Sequence, residues 1–472
     1  MRGKGISYDT GFISKGRNAR EPFDPEVVKR ELQIIRDDLH CNAVRVMGGD
    51  PERLELAATY AADLGLEVWF SPYPLELTTE EMLSLFADCA ERAERLRRRG
   101  AEVVFVTGAE LSLMNKGFLP GDTFGERVEL LNEPHRLRAL IPEVAARVNE
   151  FLAKAAALVR ERFGGKITYA AIQHFEGVDW TRFDMVSVDL YRSIEVADRF
   201  ADGVRALVAQ GKPVAITEFG AATFHGAGDR GARGLEIVEY DKDTGAPVRL
   251  NGEYPRDEEG QARYLLELLE IFEAGGVDST FVFTFALHGY LHRPDGDPRQ
   301  DLDLASYGIV KVFEDRHGQA YPDMAWEPKA AFRMLADYYS KEASMEGGTG
   351  RVTIETLQRL VDAFNAHDVD AVMGFFTGDP VLELPRGPDP WGRRFQGRAQ
   401  VRAGLASRFA GIPDVHYGDD RHWVSGDRGC SEWLLTGTTP QGERIEVRGC
   451  DLFEFKGDKI ARKDSYWKLV ER

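Results

Sequence analysis

Eight short runs of β-branched and aromatic residues, separated by longer amphipathic stretches, most constrain what this chain can fold into. They fall at 5–9, 43–47, 67–71, 103–107, 167–172, 185–190, 214–217 and 280–285. Segments 25–39, 51–64, 80–99, 142–163, 194–210 and 258–274 carry apolar residues at helical spacing, and several open on Asp-Pro or Thr-Thr-Glu, which suit helix starts. Alternating strand and helix signals predict repeated βα units around a parallel sheet. Eight strands and eight crossovers in about 340 residues predict an α/β fold, a (β/α)8 TIM barrel with enlarged loops. The first strand exits through Tyr8-Asp9-Thr10-Gly11-Phe12. That exit has no Gly-rich phosphate fingerprint, so no nucleotide cofactor is expected.

The chain has 472 residues, too many for one ordinary core, and its 43% hydrophobic content suffices for two. A last barrel helix is predicted at 328–342, followed by the small residues Ala343-Ser344-Met345-Glu346-Gly347-Gly348-Thr349-Gly350. These give a barrel over 1–342, a linker at 343–350 and a smaller α+β module over 351–472. The module begins with a helix at 354–365 and a second helical turn before Phe375-Phe376, then strands at 381–384, 430–438, 444–455 and 459–467. Two insertions, 117–133 after the fourth strand and a hairpin at 235–250 after the seventh, are expected to border the barrel's active face.

A formal charge of −18 and a pI near 5.2 argue against nucleic-acid or anionic-lipid partners. The one basic cluster, residues 92–99, has Glu91 and Glu94 interleaved and reads as a solvated helix face. Cys41, Cys89, Cys430 and Cys450 lack metal or disulfide-framework spacing, which suits a reducing compartment. Neither an apolar signal core nor a run approaching the roughly 18 apolar residues of a membrane span is present, so a cytoplasmic location is expected.

Catalytic groups of a barrel stand at the C-terminal ends of its strands. Glu110 follows Val103-Val104-Phe105-Val106-Thr107-Gly108-Ala109, and Glu218 follows Val214-Ala215-Ile216-Thr217. Two carboxylates converging on one face can divide acid and nucleophile duties at a glycosidic bond. Arg45, between Val44 and Val46, points into the barrel if the valines face the helices, where its guanidinium would hold a carboxylate ionised. Asp9, His174, Asp189, Tyr191, His225 and His288 also fall at strand exits, and Trp69 is a candidate stacking platform; these form the expected substrate-binding set. The three histidines with Asp189 lack the paired spacing of a zinc motif, so no metal is expected. Asn132-Glu133-Pro134 follows no apolar strand, and Pro134 reads as the start of a helix.

On these residues the chain resembles the clan A glycoside hydrolases, in which the acid/base Glu follows strand four and the nucleophile Glu follows strand seven. Ile216-Thr217-Glu218-Phe219-Gly220 looks like their nucleophile motif, Arg45 is similar to the clan's strand-two arginine, and Tyr191 to a tyrosine that touches the nucleophile. Most of the clan has Asn before the acid/base; here it is Ala109, and Gly108-Ala109-Glu110-Leu111 looks like the Gly-Thr-Glu-Leu of some β-mannanases. The C-terminal order of elements, ending in Asp451-Leu452-Phe453-Glu454-Phe455-Lys456-Gly457-Asp458-Lys459-Ile460, resembles the SnoaL-like, nuclear-transport-factor-two-like superfamily of α+β cones. Where its isomerases carry a base, Glu383-Leu384-Pro385 puts leucine, which accepts no proton, while Asp451 matches their second Asp. Trp391, Trp423, Trp433 and Trp467 are candidates to line its pocket.

The resulting expectation is a retaining glycoside hydrolase for a β-linked oligosaccharide or glycosylated small molecule, without cofactor. Glu218 is its nucleophile and Glu110 its acid/base, with the C-terminal module serving binding or homodimerisation. The alternative is a non-hydrolytic tailoring or binding protein, cyclase- or isomerase-like, with its ligand in the C-terminal cone.

Overall fold

A computed structural model describes residues 1–172, 175–242, 244–346 and 352–470, the side chains of 341–346 excepted. The chain divides into two compact units, Met1–Ser340 and Lys341–Arg472.

In the first unit, β1 (Gly3–Asp9), β2 (Ala43–Gly48), β3 (Glu67–Pro72), β4 (Val103–Ala109), β5 (Lys166–Ile172), β6 (Val186–Asp189), β7 (Val214–Phe219) and β8 (Ser279–Val282) close into an all-parallel barrel. Closure pairs Gly3 of β1 with Ser279 of β8 and Gly5 with Ala43 of β2. Outside lie α1 (Pro25–Asp37), α2 (Pro51–Asp63), α3 (Thr79–Arg98), α4 (Pro134–Arg160), α5 (Phe200–Val208), α6 (Glu258–Ala274) and α7 (Ala330–Glu346). The start signals work as their chemistry dictates. Asp24 and Asp50 cap α1 and α2 ahead of a proline, and Thr78 with Glu81 forms a capping box on α3.

Two features depart from the sequence reading, the β5–β6 crossover and the last barrel helix, while the helix start at Pro134 follows it. The crossover from β5 to β6 holds, among the described residues, a single 3-10 turn, Trp180–Arg182, instead of an eighth helix. The fourth helix starts at Pro134, whose ring suits a first turn, and runs through Pro142. Consequently Glu133 stands at the helix N-cap position, without a side-chain cap bond, and pairs with Arg136 in solvent. The last barrel helix continues to Glu346, through half of the expected linker; residues 347–350 lie outside the described residues.

The barrel's ends are tied by one buried carboxylate. Glu31 of α1 has no exposed surface and accepts from Tyr8 Oη at 2.6 Å, Arg20 Nη2 at 2.7 Å and Trp326 Nε1 at 2.9 Å. A buried charge is tolerable when its lone pairs are met in this way.

The second unit contains α8 (Ile354–Asn365), α9 (Val369–Gly374), β9 (Phe376–Asp389), β10 (Gly392–Gln396), α10 (Arg398–Gly411), β11 (His416–Ser425), β12 (Arg428–Thr438), β13 (Arg444–Lys456) and β14 (Lys459–Trp467). Its sheet runs β10-β9-β14-β13-β12-β11, with Leu357, Leu360, Phe364, Leu435 and Phe453 among its core residues. The fold is thus a parallel barrel followed by an α+β module. Strand β11 escapes a pattern search because His-Tyr-Gly-Asp-Asp-Arg-His-Trp-Val-Ser is polar and its alternation is broken by a register shift between Gly418 and Arg421, with Asp419 left-handed. Among the described residues no helix is long and apolar enough to cross a membrane.

Removing the Glu31 carboxylate strands the Arg20 guanidinium, so Glu31→Ala is expected to cost about 3–5 kcal/mol of barrel stability. Thermal and urea unfolding of the full chain measures it; a loss under 1 kcal/mol would show that the clamp does not hold the barrel.

Candidate active site

Alternation along β2 turns Arg45 inward, as its flanking valines predict. The guanidinium has no exposed surface, and its Nη1 donates to Glu218 Oε1 at 2.9 Å and to the Thr217 carbonyl at 3.0 Å, while Nε donates to Ser71 Oγ at 3.2 Å. Tyr191 donates its hydroxyl to Glu218 Oε2 at 3.2 Å and packs edge-on to Tyr307. Each oxygen of Glu218 therefore has a donor. Burial holds the Glu218 carboxyl above its ordinary range, although the Arg45 charge and the two hydrogen bonds pull it down.

Both glutamates owe their places to an extra residue in their strands. In β4 the register with β5 shifts between Val106 and Ala109, and in β7 it shifts against both β6 and β8 around Thr217 and Glu218. Such bulges re-aim a side chain at a strand end. After the β4 bulge, Ala109 joins the barrel interior with Val104, Val106 and Ala170. Gly108 takes φ +88, where a Cβ would lie 2.7 Å from Leu111 Cδ2. Glu110 is itself left-handed, with φ 46 and ψ 37, a conformation that costs of order 1–3 kcal/mol and persists only where its surroundings enforce it.

Those surroundings were not visible in the sequence. Tyr169 Oη accepts from the Leu111 N–H at 2.8 Å and donates to Glu176 at 2.8 Å; Glu176, fully buried, also takes the Ser112 N–H and hydroxyl and the Ile172 N–H. Glu176 lies four residues past its strand, beyond the strand-end test, and so was missed. Held from behind, the Glu110 carboxyl has no hydrogen-bond partner among the described residues. Burial, then the charges of Asp189, Glu218 and Glu176, push it well above the ordinary carboxyl range.

The remaining expected residues divide. Asp189 sits beside Glu218 in register, with a buried side chain whose oxygens meet no hydrogen-bond geometry among the described residues; Arg45 Nη1 is 3.9 Å away. Burial and the Glu218 charge push it well up, against the pull of Arg45. Asp9 and His288 line a cavity of about 530 Å3 together with Tyr73. Burial lifts Asp9 to about 6, opposed by the Gly11 N–H and Arg20, and holds the His288 imidazole well below its usual range, hence neutral. His225 is exposed on the rim, 3.3 Å from Asp257. Trp69 corrects the expectation. It has no exposed surface, packs on Phe281 at 4.6 Å and donates to Glu67, toward the N-terminal end of its strand, so it fills the barrel interior and offers no platform. His174 lies outside the described residues. Of the loop acids, Asp301 and Asp303 accept from Arg256, with His292 and Lys329 beside them, and hold the loop after β8.

In the second unit, the buried Asp451 accepts from Lys463 at 2.5 Å, Ser465 at 2.7 Å and Trp433 at 2.9 Å. The adjoining cavity, lined by Leu384 and Tyr417, measures about 20 Å3, near the minimum of roughly 10–15 Å3 that one water needs. Trp433 lines it, whereas Trp391 and Trp423 are 48% and 50% exposed and do not.

Residues 357–463 match the family model of the SnoaL-like domain. The C-terminal module is a SnoaL-like domain. Similar solved structures include a provisionally assigned polyketide cyclase from Pseudomonas putida KT2440, 21% identical, covering 25% of this chain and 94% of that one with a TM-score of 0.23. Another is an NTF2-like protein of unknown function from Mesorhizobium loti, 26% identical over 24% and 89% with a TM-score of 0.21. A third is a hypothetical protein with a ketosteroid isomerase-like fold from Catenulispora acidiphila, in complex with trimethylamine, 21% identical over 25% and 88% with a TM-score of 0.23. No curated protein matches the chain, and no glycoside hydrolase family model does.

Asp189, a buried acid held above its usual range, favours folding most below its unfolded pKa of about 3.9 and loses that advantage as pH rises toward its folded value. The isosteric Asp189→Asn variant cannot ionise, so its Tm advantage over wild type is expected to widen from pH 5 to pH 8. A gap that is constant or narrows with pH would contradict a protonated Asp189.

Proposed function

We propose that the barrel is a retaining glycoside hydrolase acting on a β-linked oligosaccharide or glycosylated small molecule. The observation that carries this reading is the unequal treatment of two strand-end carboxylates: Glu218 is held by Arg45 and Tyr191, whereas Glu110 has no such partner among the described residues and is driven to keep its proton. Pairs whose surroundings push their pKa values apart are the usual mark of an acid and its complementary base or nucleophile. The order also agrees with the clan A resemblance of the sequence.

In the first step a Glu218 oxygen attacks the anomeric carbon, the bond to the leaving oxygen breaks, and Glu110 gives that oxygen its proton. In the second, water attacks the same carbon, Glu110 takes its proton, and the ester to Glu218 breaks. As charge leaves Glu218, the Glu110 carboxyl loses a repelling neighbour and falls toward its ordinary range, which suits its change from acid to base. Arg45 and Tyr191 position the nucleophile and keep it ionised, and Asp9 and His288 border the substrate.

A ligand in the C-terminal cone draws less support. The cavity against Asp451 is about one water in size, leucine stands where a base would, and Asp451 is occupied by three donors; the larger hollows of about 240 and 400 Å3 border Trp467 instead. We assign that domain to homodimerisation. Trp423, Leu452 and Tyr466 are each about half exposed on one face of the sheet, where Trp423 and Leu452 both pair with Cys430.

Glu218→Gln is expected to abolish hydrolysis of a fluorogenic β-glycoside panel, with azide restoring turnover to Glu218→Ala. Glu110→Gln should cost about 10²–10⁴-fold and remove the alkaline limb of the pH profile, which in wild type lies above the ordinary carboxyl range. NMR should show the β-anomer forming first; an α-product, or activity indifferent to both substitutions, would reject the assignment. Sedimentation should find a dimer that Leu452→Asp converts to monomer, and a monomeric wild type would reject the homodimer.

A further inference from the structure

Beside the carboxylates, the 530 Å3 cavity is built from the loops after β1, β3, β4, β7 and β8. Its position relative to Glu110 is set by the chain itself. Met114, in its wall, closes the turn that begins at Glu110, donating its N–H to the Glu110 carbonyl at 3.0 Å. Tyr73, another wall residue, follows β3 directly, and burial first, then the charges of Glu218, Glu110 and Asp189, push its hydroxyl up. The cavity therefore adjoins the turn that carries Glu110.

Its lining is wrong for a second sugar. Phe12, Leu75, Met114, Leu235 and Leu287 supply much of the wall. Some of the polar lining groups are engaged with the protein itself, whereas Arg17, Tyr73 and His288 make no side-chain hydrogen bond among the described residues. Glu76 takes the Phe124 N–H and Arg127, Asn18 takes the Arg20 N–H, and the Tyr240 and Tyr290 hydroxyls bond each other at 3.0 Å. Sugar hydroxyls entering here would exchange water for aliphatic carbon and leave hydrogen bonds unmade. The cavity is also bounded, because the Lys15 ammonium donates to the Lys242 carbonyl at 2.7 Å and joins the hairpin after β1 to the one after β7. A polymer cleft would run open past both. The volume falls within the roughly 300–1,000 Å3 of sites for compact, largely apolar ligands.

We propose that the substrate is a glycoside whose aglycone is an apolar ring system, seated in this cavity with its linking oxygen toward Glu110. This rests on the hydrolase reading above and narrows its substrate class from oligosaccharide or glycoside to the latter. The cavity selects the leaving group by burial of apolar surface, and Met114 and Leu287 are specificity-determining residues.

The test compares, for each sugar of a β-glycoside panel, the 2-naphthyl glycoside with the corresponding disaccharide, using full-length wild type and Met114→Asp, with Met114→Gln as a second, milder variant. In parallel, 2-naphthol binding to Glu218→Gln is followed by fluorescence. The naphthyl glycoside should be favoured at least tenfold in kcat/KM. That preference should fall at least fivefold in a folded Met114 variant, and 2-naphthol should bind saturably to Glu218→Gln and at least tenfold more weakly once Met114→Asp is added. Glu218-dependent hydrolysis that favours disaccharides, a preference unmoved by both Met114 variants, or no saturable 2-naphthol binding overturns the aglycone assignment while leaving the hydrolase reading standing. If no glycoside is hydrolysed in a Glu218-dependent way, the hydrolase reading falls and the aglycone assignment falls with it.

Discussion

A guanidinium sealed inside the barrel organises everything on its upper face. Arg45 has no surface exposed to solvent, and the protein groups that meet its charge belong to β3 and β7. An unpaired cation at that depth would cost several kcal/mol, so the strand arrangement and the carboxylate of Glu218 are interdependent. Removing either leaves the other buried without its closest countercharge. Ser7, Thr217 and Thr280 complete a polar layer in which side-chain oxygens without hydrogen-bond partners among the described residues surround this pair. The site is thus part of the barrel's interior as well as its rim.

The asymmetry between the two glutamates follows from which neighbours each strand end receives. Bulges in β4 and β7 advance both carboxylates by a residue relative to regular alternation. Only the β7 bulge delivers its acid to a cation; the β4 bulge delivers a left-handed Glu110 into a surround of other acids. The scaffold behind Glu110, Tyr169 and Glu176, holds backbone N–H groups of the turn and leaves the carboxyl alone. Placement and protonation are therefore controlled by different residues, which lets the turn stay rigid while its charge changes.

Much of this was readable from the chain. The eight apolar runs are the eight strands, Asp24, Asp50 and Thr78 start their helices, and Val44 and Val46 give away the inward face of Arg45. What escaped depended on register or on distance along the chain. Nothing in Thr107-Gly108-Ala109 announces that alternation slips there. Glu176 looks like any loop acid until Ser112 and Tyr169 fold against it. Trp69 illustrates the opposite error, because an aromatic near a strand end is equally suited to a barrel's inner layer, and its indole finds Glu67 there. The missing eighth helix reflects a crossover too short to need one.

The clamp at Glu31 binds partners from opposite ends of the barrel's sequence: Tyr8 in the first strand and Trp326 just before the last helix. During synthesis the first βα unit emerges with a carboxylate destined for the core, and its third donor follows only after nearly three hundred further residues have been made. Premature termination anywhere in that interval leaves a species whose first layer is one donor short, marking it as incomplete. Completion of the barrel is in this sense chemically proofread, with the indole N–H of Trp326 as the final signature.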